Sequence, residues 1–440
     1  RSGEILESDI NWYHNVMTLL HNWFFIQTAA INPDARGNNF KTETMGELIK
    51  FVSSHELGHT IGLPHNMGSS VAYPVDSLRS ASFTSKYGTA PSIMDYARFN
   101  YIAQPEDKGV ALMPNIGIYD KYAIAWGYRP ILDTNAKDEK ATLDAWILKH
   151  AGDPMYRFGH QQAGGVVDPS SQTEDLGDDA MKASMYGIKN LKRILPRLEE
   201  WTSEKGENYD ELSTMYGQLL SQFNRYMGHV TANIGGVYEE YKTADQEGAV
   251  YTEVAKEKQE EALQFLIDEL FETPTWMLDE NIFSKTEFSG AIERVRGLQA
   301  RTLNNILDAG RMARMIENET LNGAAASYTL VNMMRDVRKG VWNEIYTGRS
   351  IDTYRRNLQR AHLDRLDYLL NKAKDQKGAN KGYRKRSGIN INQSDVKSIA
   401  RGELKRLQRD AKAASRRGNT LTRYHLQDVV DRIDLILDPK

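Results

Sequence analysis

The chain has 440 residues, enough for two or three domains, and its formal net charge of −3 is too small to indicate a polyanionic or polycationic partner for the whole molecule. It contains no cysteine, which excludes disulfides, thiolate metal sites and a cysteine nucleophile, so any metal would bind through His, Asp or Glu. No apolar run reaches the roughly 18 residues of a membrane-spanning helix, and no transmembrane segment is expected.

Residues 1–130 mix short β-like runs, aromatic residues and loops that contain glycine and proline. The opening stretch GEILESDINWYHNV is extended in character, because apolar residues such as Leu6 and Ile10 fall on the same side of an alternating, strand-like pattern. From Glu43 the apolar residues recur at three- and four-residue steps, which predicts a helix that ends near Gly62, a residue suited to a left-handed C-terminal cap. This region is therefore expected to combine strand and helix.

Residues 131–177 are rich in loops and contain most of the acidic stretch DPSSQTEDLGDD. From residue 178 to residue 440 the pattern is almost wholly helical, because five long segments each carry an apolar stripe at helical spacing. No fixed-period repeat occurs, which favours a helical bundle over a solenoid. The expected fold class is α+β and predominantly α-helical, with the three regions 1–130, 131–177 and 178–440.

Three of the ten histidines lie in one short stretch, SSHELGHTIGLPHN. His55 and His59 are four residues apart, so on a helix they project from the same face and can bind one ion through ring nitrogens. Glu56 lies one step round the helix, where it can reach a water at the metal and act as a general base. The stretch therefore predicts two metal ligands with a base beside them.

A break in the helix would bring a third ligand to the same ion. Gly62 allows the backbone to turn and Pro64 prevents the helix from resuming, so His65 can return to complete a set of three imidazoles. Three protein ligands leave a fourth position open, as in catalytic zinc sites. The alternatives are histidines without a metal, or a structural zinc site, which usually has a fourth protein ligand.

A second segment, PSIMDYARFNY, contains a methionine, Met94, that lies 29 residues after His65. Together, this segment and the HExxHxxGxxH pattern resemble the metzincin metalloproteases, whose zinc helix is followed by a methionine-containing turn. The resemblance implies that Met94 packs beneath the metal ligands without binding the metal. It also implies that Tyr96 approaches the zinc or stabilises the oxyanion; an aromatic ring packed under the turn is the alternative for Tyr96.

The resemblance extends to a group of large bacterial metzincin-like proteins, which contain sequence segments similar to SHELGHTIGLPHN, SIMDYARFNYIAQPED and QTEDLGDDAMKASMYGIKNL. It implies a zincin-like metalloprotease domain in residues 1–130, with its upstream part missing, followed by a helical bundle. The chain begins at Arg1, which favours a processed piece of a longer protein. In this resemblance the opening extended stretch is either an edge strand that pairs with substrate or an internal sheet strand.

The resemblance further implies a zinc-dependent endopeptidase with one catalytic Zn²⁺, acting on protein or peptide. It places the protein outside the cytoplasm of a bacterium, in the periplasm, in the cell envelope or secreted. One position departs from the astacin and serralysin branches, since Asn66 stands where those proteins usually carry an acidic residue. The branch is therefore left open.

Two charged segments have weaker interpretations. The acidic stretch, which includes Asp168, Glu174 and Asp175, offers carboxylates of the kind that bind Ca²⁺, but its spacing does not match an EF-hand, and we favour a helix cap with a solvated loop. The segment Lys372–Arg417 carries 15 Lys and Arg against four acids, counted on the printed chain. We favour a solvated helical face for it and expect no nucleic acid partner.

Two functions of other classes compete with an active peptidase. The first is a catalytically inactive zinc-binding scaffold, and the intact Glu56 argues against it. The second is an interaction protein that uses the basic helical C-terminal segment, including KGYRKRSG, to bind polyanions. The oligomeric state is left open by the sequence.

Overall fold

The chain folds almost entirely into helices joined by short connections. The computed structural model describes residues 4–162, 165–373, 379–381, 384–386 and 390–439. The α-helices are α1 (Val16–Thr28), α2 (Thr42–Thr60), α3 (Ala81–Tyr87), α4 (Ile118–Tyr128), α5 (Ala136–Leu148), α6 (Ala180–Ile194), α7 (Leu198–Thr202), α8 (Asp210–Thr231), α9 (Lys256–Leu266), α10 (Glu280–Thr286), α11 (Ala291–Ile306), α12 (Ala309–Asn322), α13 (Leu330–Val341), α14 (Asn343–Thr347), α15 (Thr353–Asp367), α16 (Asp395–Ala414) and α17 (Thr420–Leu437).

Shorter elements fill the connections. Single turns of 3₁₀-helix lie at Pro33–Ala35, Ser70–Ala72, Ser77–Arg79, Pro154–Tyr156, Leu195–Arg197, Thr275–Met277 and Ile391–Gln393, and π-helical turns at Ile267–Phe271 and Tyr368–Lys372. The strands of the described residues are β1 (Val237–Glu239), which pairs with β2 (Tyr251–Glu253), and β3 (Ala379–Lys381), which pairs antiparallel with β4 (Arg384–Arg386). The predominance of helix confirms the expected fold class.

The helix predicted from Glu43 is α2, which begins one residue earlier and ends at Thr60. Gly62 has a φ of +90°, a conformation that glycine adopts without a steric cost, and Pro64 has no N–H with which to continue the helix. The backbone therefore turns back, with the Leu63 N–H donating to the Gly58 carbonyl over 3.0 Å. This turn starts the connection that carries the third histidine.

The described chain divides into two compact units. The first comprises residues 1–229, 237–252 and 279–286, and the second comprises residues 230–236, 253–278 and 287–440. Helices α6 and α7 therefore share a unit with the histidine helix α2. The predicted boundaries at residues 130 and 177 divide the chain by sequence pattern, and they stay predictions.

Aromatic side chains form the packing around α2 in the first unit. Phe24 of α1 and Phe51 of α2 both meet Phe99 edge to face, with ring centroids 4.9 and 5.9 Å apart. Helix α1 packs on α2 and on α6. A buried aromatic ring removes a large apolar area from water, so this cluster holds α2 in place.

Buried charged groups join helices within the second unit. The Arg355 guanidinium is almost inaccessible and pairs with Glu344, and it also donates to the carbonyl oxygens of Gly340 and Val341 over 2.8 and 2.9 Å. Helices α16 and α17 pack against each other as a hairpin. Nη1 donates to the Phe271 carbonyl, so each of the three guanidinium nitrogens has an acceptor, which lowers the cost of burying the charge.

One expectation about the first 177 residues was wrong. The opening stretch is not a strand: residues 4–13 have no regular secondary structure and are exposed, and α1 begins at Val16. Alternating residues make a strand only where another strand supplies hydrogen bonds, and no strand lies in the described residues before β1. The loop-rich region also contains α5, whose N-terminus is capped by the Asn135 side chain.

No helix in the described ranges has the length and apolar character needed to cross a bilayer. The basic stretch KGYRKRSG, residues 381–388, belongs to a part of the chain whose side chains lie outside the described residues.

Candidate metal centre

The three histidines predicted as ligands come together in the first unit. One ligand nitrogen from each of His55, His59 and His65 lies within 4.8 Å of the others. The first two project from one face of α2, and the third returns after the turn at Gly62. Among the described residues they are the one cluster of three or more metal-type side chains with this closeness.

Backbone carbonyls orient the two helical histidines. The Nδ1 atom of His55 lies 2.7 Å from the carbonyl oxygen of Ile93, and Nδ1 of His59 lies 2.8 Å from that of Leu63. A carbonyl only accepts hydrogen bonds, so each Nδ1 carries the proton. Each Nε2 is then the unprotonated nitrogen that can bind a metal.

A side chain performs the same task for the third histidine. Nδ1 of His65 lies 2.9 Å from Oε1 of Gln161, which belongs to the connection after α5. With Nδ1 as donor, Nε2 of His65 is free for a metal, and it lies 3.1 Å from Nε2 of His59. All three rings thus present the same kind of nitrogen toward one point.

The residues fit a zinc ion. Nε2 of His55 is buried and has no hydrogen-bond partner in the described part of the chain, a costly arrangement that a bound cation would relieve. Burial lowers the pKa of His55 to about 4, so the ring is neutral at pH 7 and its lone pair is available. Three neutral imidazoles suit Zn²⁺, whereas Ca²⁺ and Mg²⁺ take oxygen ligands.

Met94 packs directly against the histidine helix. Its side chain is buried, and a Cβ atom added to Gly58 would overlap Met94 Sδ. The absence of a side chain at Gly58 therefore lets the methionine approach α2 between the two helical histidines. Met94 therefore contacts the histidine helix, and its role as the turn methionine beneath the metal ligands stays a prediction.

Tyr96 lies against two of the three histidines. Its ring stacks on His55 at a centroid distance of 5.0 Å, and its centroid is 4.5 Å from that of His65. Burial raises the pKa of Tyr96, so its hydroxyl keeps its proton and can donate a hydrogen bond at neutral pH. The phenol is half-buried beside the cluster rather than deep in the core.

Glu56 belongs to the same site. It is half-buried on α2, next to His55 in sequence. Burial lowers the pKa of His65, and the negative charge of Glu56 opposes that shift. The same charge adds to the effect of burial in raising the pKa of Tyr96. The negative charge of Glu56 therefore acts on both side chains.

Comparison with known protein families gives one match. The sequence profile of a family described as Met-zincin matches residues 37–348, which is more than half of the chain. The chain belongs to the Met-zincin family. This confirms the resemblance to metzincin metalloproteases and the zincin-like class of the histidine domain. No curated protein and no solved structure matches the chain.

The matched range contains every residue of the Met-zincin centre described so far. It ends at residue 348, so α15, α16 and α17 lie outside it. A chain of this family is a metalloprotease in type, and its three clustered histidines could hold a metal ion.

Sequence reasoning missed the residue that anchors the connection carrying Gln161. Asn66 is completely buried: its Oδ1 accepts from the Gly159 N–H over 2.8 Å, and its Nδ2 donates to the Arg157 carbonyl over 2.9 Å. Its backbone N–H donates to the Met94 carbonyl over 3.1 Å. Asn66 therefore joins the third-ligand segment to the methionine turn and to the segment that holds His65. The sequence did give one sign of this role, because Asn66 stands where the astacin and serralysin branches usually carry an acidic residue.

The connection can reach the Met-zincin centre because two glycines touch. A Cβ atom on Gly159 would lie 2.7 Å from Cα of Gly68, and one on Gly68 would lie 2.9 Å from Cα of Gly159. Arg157 secures the same approach, since its Nη1 donates to the carbonyl oxygens of Gly68 and Ser170 over 3.0 and 2.8 Å. No motif marks these positions in the sequence.

The acidic stretch is buried, which corrects the expectation of a solvated loop. Asp168 pairs with Arg157 over 3.2 Å, and Glu174 pairs with Arg98 over 2.9 Å and with Arg225. Three arginines, two of them far away in sequence, pair with these carboxylates and so offset the free-energy cost of removing the negative charges from water. The expected helix cap is confirmed at the end of the stretch, where Asp179 accepts from the Lys182 N–H over 3.0 Å.

Arg98 links the acidic stretch to the candidate catalytic tyrosine. Its guanidinium lies 3.3 Å from the ring centroid of Trp23 and 5.0 Å from that of Tyr96. Arg98 and its partner Glu174 both have positive φ values, +58° and +68°, which cost energy for residues with a side chain. Such strain is retained where the surrounding packing fixes the backbone, here through the contacts of Arg98 with Trp23, Tyr96 and Glu174.

Two buried carboxyl groups, Asp95 of the methionine-containing segment and Asp175, have no ion-pair partner among the described residues. Asp95 accepts from the Ser69 hydroxyl and the Ser70 N–H through Oδ2, but its Oδ1 has no partner there. Burial raises the pKa of Asp95 to about 7. Burial, and then the neighbouring Asp95, raise the pKa of Asp175 as well. At least part of this pair is therefore protonated near neutral pH.

Proposed function

We propose that the protein is a zinc-dependent endopeptidase of the metzincin type, which hydrolyses peptide bonds in a protein or peptide substrate. One observation carries the proposal: three histidines present unprotonated Nε2 atoms to one point. Glu56 follows His55 on the same helix, and its negative charge acts on His65. Membership of the Met-zincin family supports the same reaction class.

Zinc would be held by His55, His59 and His65, and when bound it supplies a Lewis acid that polarises a carbonyl group and acidifies water. The Glu56 carboxylate takes a proton from the water that attacks the peptide carbonyl carbon, and passes it to the amide nitrogen as the C–N bond breaks. The Tyr96 hydroxyl donates a hydrogen bond to the oxyanion that develops on the former carbonyl oxygen. Met94 supports the ligands from below and takes no part in proton transfer.

The test combines metal analysis with peptide cleavage. We expect one zinc per chain in the wild type and cleavage of a peptide library that falls by about 10²–10⁴-fold in Glu56→Gln, the range for loss of a general base. Glu47→Gln is the matched control, because Glu47 lies exposed on the same helix and pairs only with Lys50 in the described chain. It should cleave at the wild-type rate.

The outcomes separate the competing functions. Chains without stoichiometric zinc would overturn the metal assignment. Zinc-loaded chains that cleave equally well with Gln at position 56 would overturn the role of Glu56. Zinc-loaded chains that cleave nothing would favour the inactive zinc-binding scaffold.

We also propose an extracytoplasmic location in a bacterium, whether periplasmic, attached to the envelope or secreted. Its support is the sequence resemblance to bacterial metzincin-like proteins of that kind, and the absence of cysteine does not decide the compartment. Fractionation of the native host with an antibody to the chain tests this. Recovery in the cytoplasmic fraction would refute it.

A further inference from the structure

The surface formed by α16 and α17 carries two stripes of opposite charge. On α16 and the turn after it, ten residues between 397 and 417 are exposed, and seven of them are basic with no acid among them: Ser398, Arg401, Gly402, Lys405, Arg406, Arg409, Lys412, Ala413, Arg416 and Arg417. Four of the basic residues, Arg401, Lys405, Arg409 and Lys412, follow at steps of four, four and three and share one helical face. We call these four residues the basic stripe.

Two of the three acids of α16 pair with an arginine of α13 and not with this stripe, and the third, Asp395, is exposed in the first turn, before the stripe begins. Glu403 accepts from Nε of Arg338 over 2.7 Å, and Asp410 accepts from Nη1 of the same arginine over 3.0 Å. In the described part of the chain, Lys405, Arg409 and Lys412 form no ion pair. The positive charge of α16 is thus left on its outer face.

The exposed face of α17 is different in kind. Leu421, Tyr424, Asp428, Asp431 and Leu435 follow at steps of three, four, three and four, so they lie along one face about 21 Å long. The three large apolar members are 58 to 64% exposed. We call these five residues the acidic stripe. It has the spacing of a helix that packs on another helix, but no element of the described chain covers it.

The two stripes lie on the adjacent helices of one hairpin. Buried Leu404, Leu407 and Val429 fix the inner faces of the helices. Outer side chains also reach across, since Gln408 Nε2 donates to Asp434 over 2.6 Å and Arg401 donates to the Leu437 carbonyl over 3.3 Å. The stripes therefore run side by side in opposite chain directions.

We propose that this hairpin is a self-association surface, on which α16 of one copy of the chain docks against α17 of a second copy, and the reverse. A two-fold axis places each basic stripe on the partner's acidic stripe, so both contacts are made at once. The aliphatic stems of Lys and Arg cover Leu421 and Leu435, a guanidinium covers the Tyr424 ring, and Asp428 and Asp431 take the charges. This surface lies outside the range matched by the Met-zincin family.

The acidic stripe also decides against a polyanion as the occupant. An anionic membrane or a nucleic acid that approached the basic stripe would meet Asp428, Asp431 and Asp434 beside it. Neither explains the exposed Leu421 and Leu435 at helical spacing. A second copy of the chain satisfies both stripes.

Charge reversal tests the pairing on the full chain. The variant with Asp428→Lys and Asp431→Lys has two basic stripes, and the variant with Lys405→Glu and Arg409→Glu has two acidic ones. By analytical ultracentrifugation at micromolar concentration and low salt, we expect the wild type at twice the 50.0 kDa chain mass and each variant at the single-chain mass. An equimolar mixture of the two variants should recover the doubled mass, because opposite stripes face each other again.

The matched control changes the same charge elsewhere. Glu257→Lys with Glu261→Lys alters two exposed acids of α9 in the same unit and should leave the doubled mass unchanged. Circular dichroism checks that every variant is folded. A wild type that stays at the single-chain mass, or a mixture of variants that does not associate, would overturn the proposal. If the single-chain wild type instead binds heparin or anionic vesicles, and Lys405→Glu with Arg409→Glu abolishes that binding, the surface serves a polyanion.

Discussion

At the scale of single residues, the metal centre depends on the acceptors behind the histidines. Two of them are backbone carbonyls, which a substitution cannot remove, but the acceptor for His65 is the Gln161 side chain. The histidines could be predicted because their spacing is a local property of one helix and its end. Gln161 could not, since 96 residues separate it from His65 and contacts between distant parts of the chain bring the two together.

Replacing Gln161 should weaken zinc binding without removing a ligand. In Gln161→Leu the Nδ1–H of His65 loses its acceptor, so the ring is no longer held with Nε2 toward the metal. We expect the zinc dissociation constant, measured by competition with a chromophoric chelator, to rise about 10- to 100-fold. Gln161→Glu keeps an acceptor oxygen at this position and should stay within a few-fold of wild type. Equal affinities for the Leu and Glu variants would show that the contact does not orient His65.

The contact between Met94 and the histidine helix predicts opposite effects for two glycine substitutions in α2. In Gly58→Ala the new Cβ overlaps Met94 Sδ, so the buried methionine must move, at a cost of about 1–3 kcal/mol in the free energy of unfolding. Gly46→Ala meets no atom within 4 Å and should stabilise the helix by up to about 1 kcal/mol. Urea unfolding of the two variants measures the difference, and equal stabilities would contradict the close packing of Met94.

At the scale of secondary-structure elements, the sequence predicted helices well and the environment of charged loops poorly. Helix α2 followed from its periodicity and from Gly62, because both act within a few residues. The acidic stretch was predicted to be a solvated loop, because the spacing of its residues does not reveal that Arg98 and Arg225, from other parts of the chain, pair with Glu174. The prediction of a strand in the opening stretch was wrong for a similar reason, because a strand depends on a partner strand that is distant in sequence.

The buried carboxyl group of Asp95 predicts a pH dependence of stability. Burial raises its pKa from 3.8 to about 7 in the folded chain. Between these values the unfolded chain has released the proton while the folded chain keeps it, so the free energy of unfolding falls as the pH rises, and levels off above about 7. The contribution of this group is fully present below about pH 4.

Asp95→Asn isolates this contribution. The amide is neutral, and its oxygen can accept from the Ser69 hydroxyl and the Ser70 N–H in place of Oδ2. We expect the variant to lose less stability than wild type between about pH 4 and pH 7, by a few kcal/mol, in urea unfolding of chelator-treated protein. Parallel stability curves would show that Asp95 is ionised throughout this range.

At the scale of the whole molecule, the pattern of apolar residues predicted a helical protein but not its division into units. The helical spacing of apolar residues separates residues 178–440 from the region that contains the histidines. In the structure, however, α6, α7 and most of α8 belong to the unit that contains α2. Local periodicity shows that a helix has a buried face, and it does not show which element covers that face. Exposed stripes such as those of α16 and α17 are likewise recognised only when the burial of each side chain is known.

The division into units predicts where zinc stabilises the chain. A ligand that binds only the folded state adds RT ln(1 + [L]/Kd), about 2.7 kcal/mol when free zinc is 100 times Kd. All three ligands lie in the first unit, so hydrogen exchange with and without a chelator should show slower exchange on zinc loading in α2 and in the segment around Met94. Peptides from α16 and α17 serve as the internal control and should exchange equally in both conditions. His59→Ala removes one ligand from the exposed side of the cluster and should abolish the zinc effect. Slower exchange that persists in this variant would place the stabilising zinc at other residues.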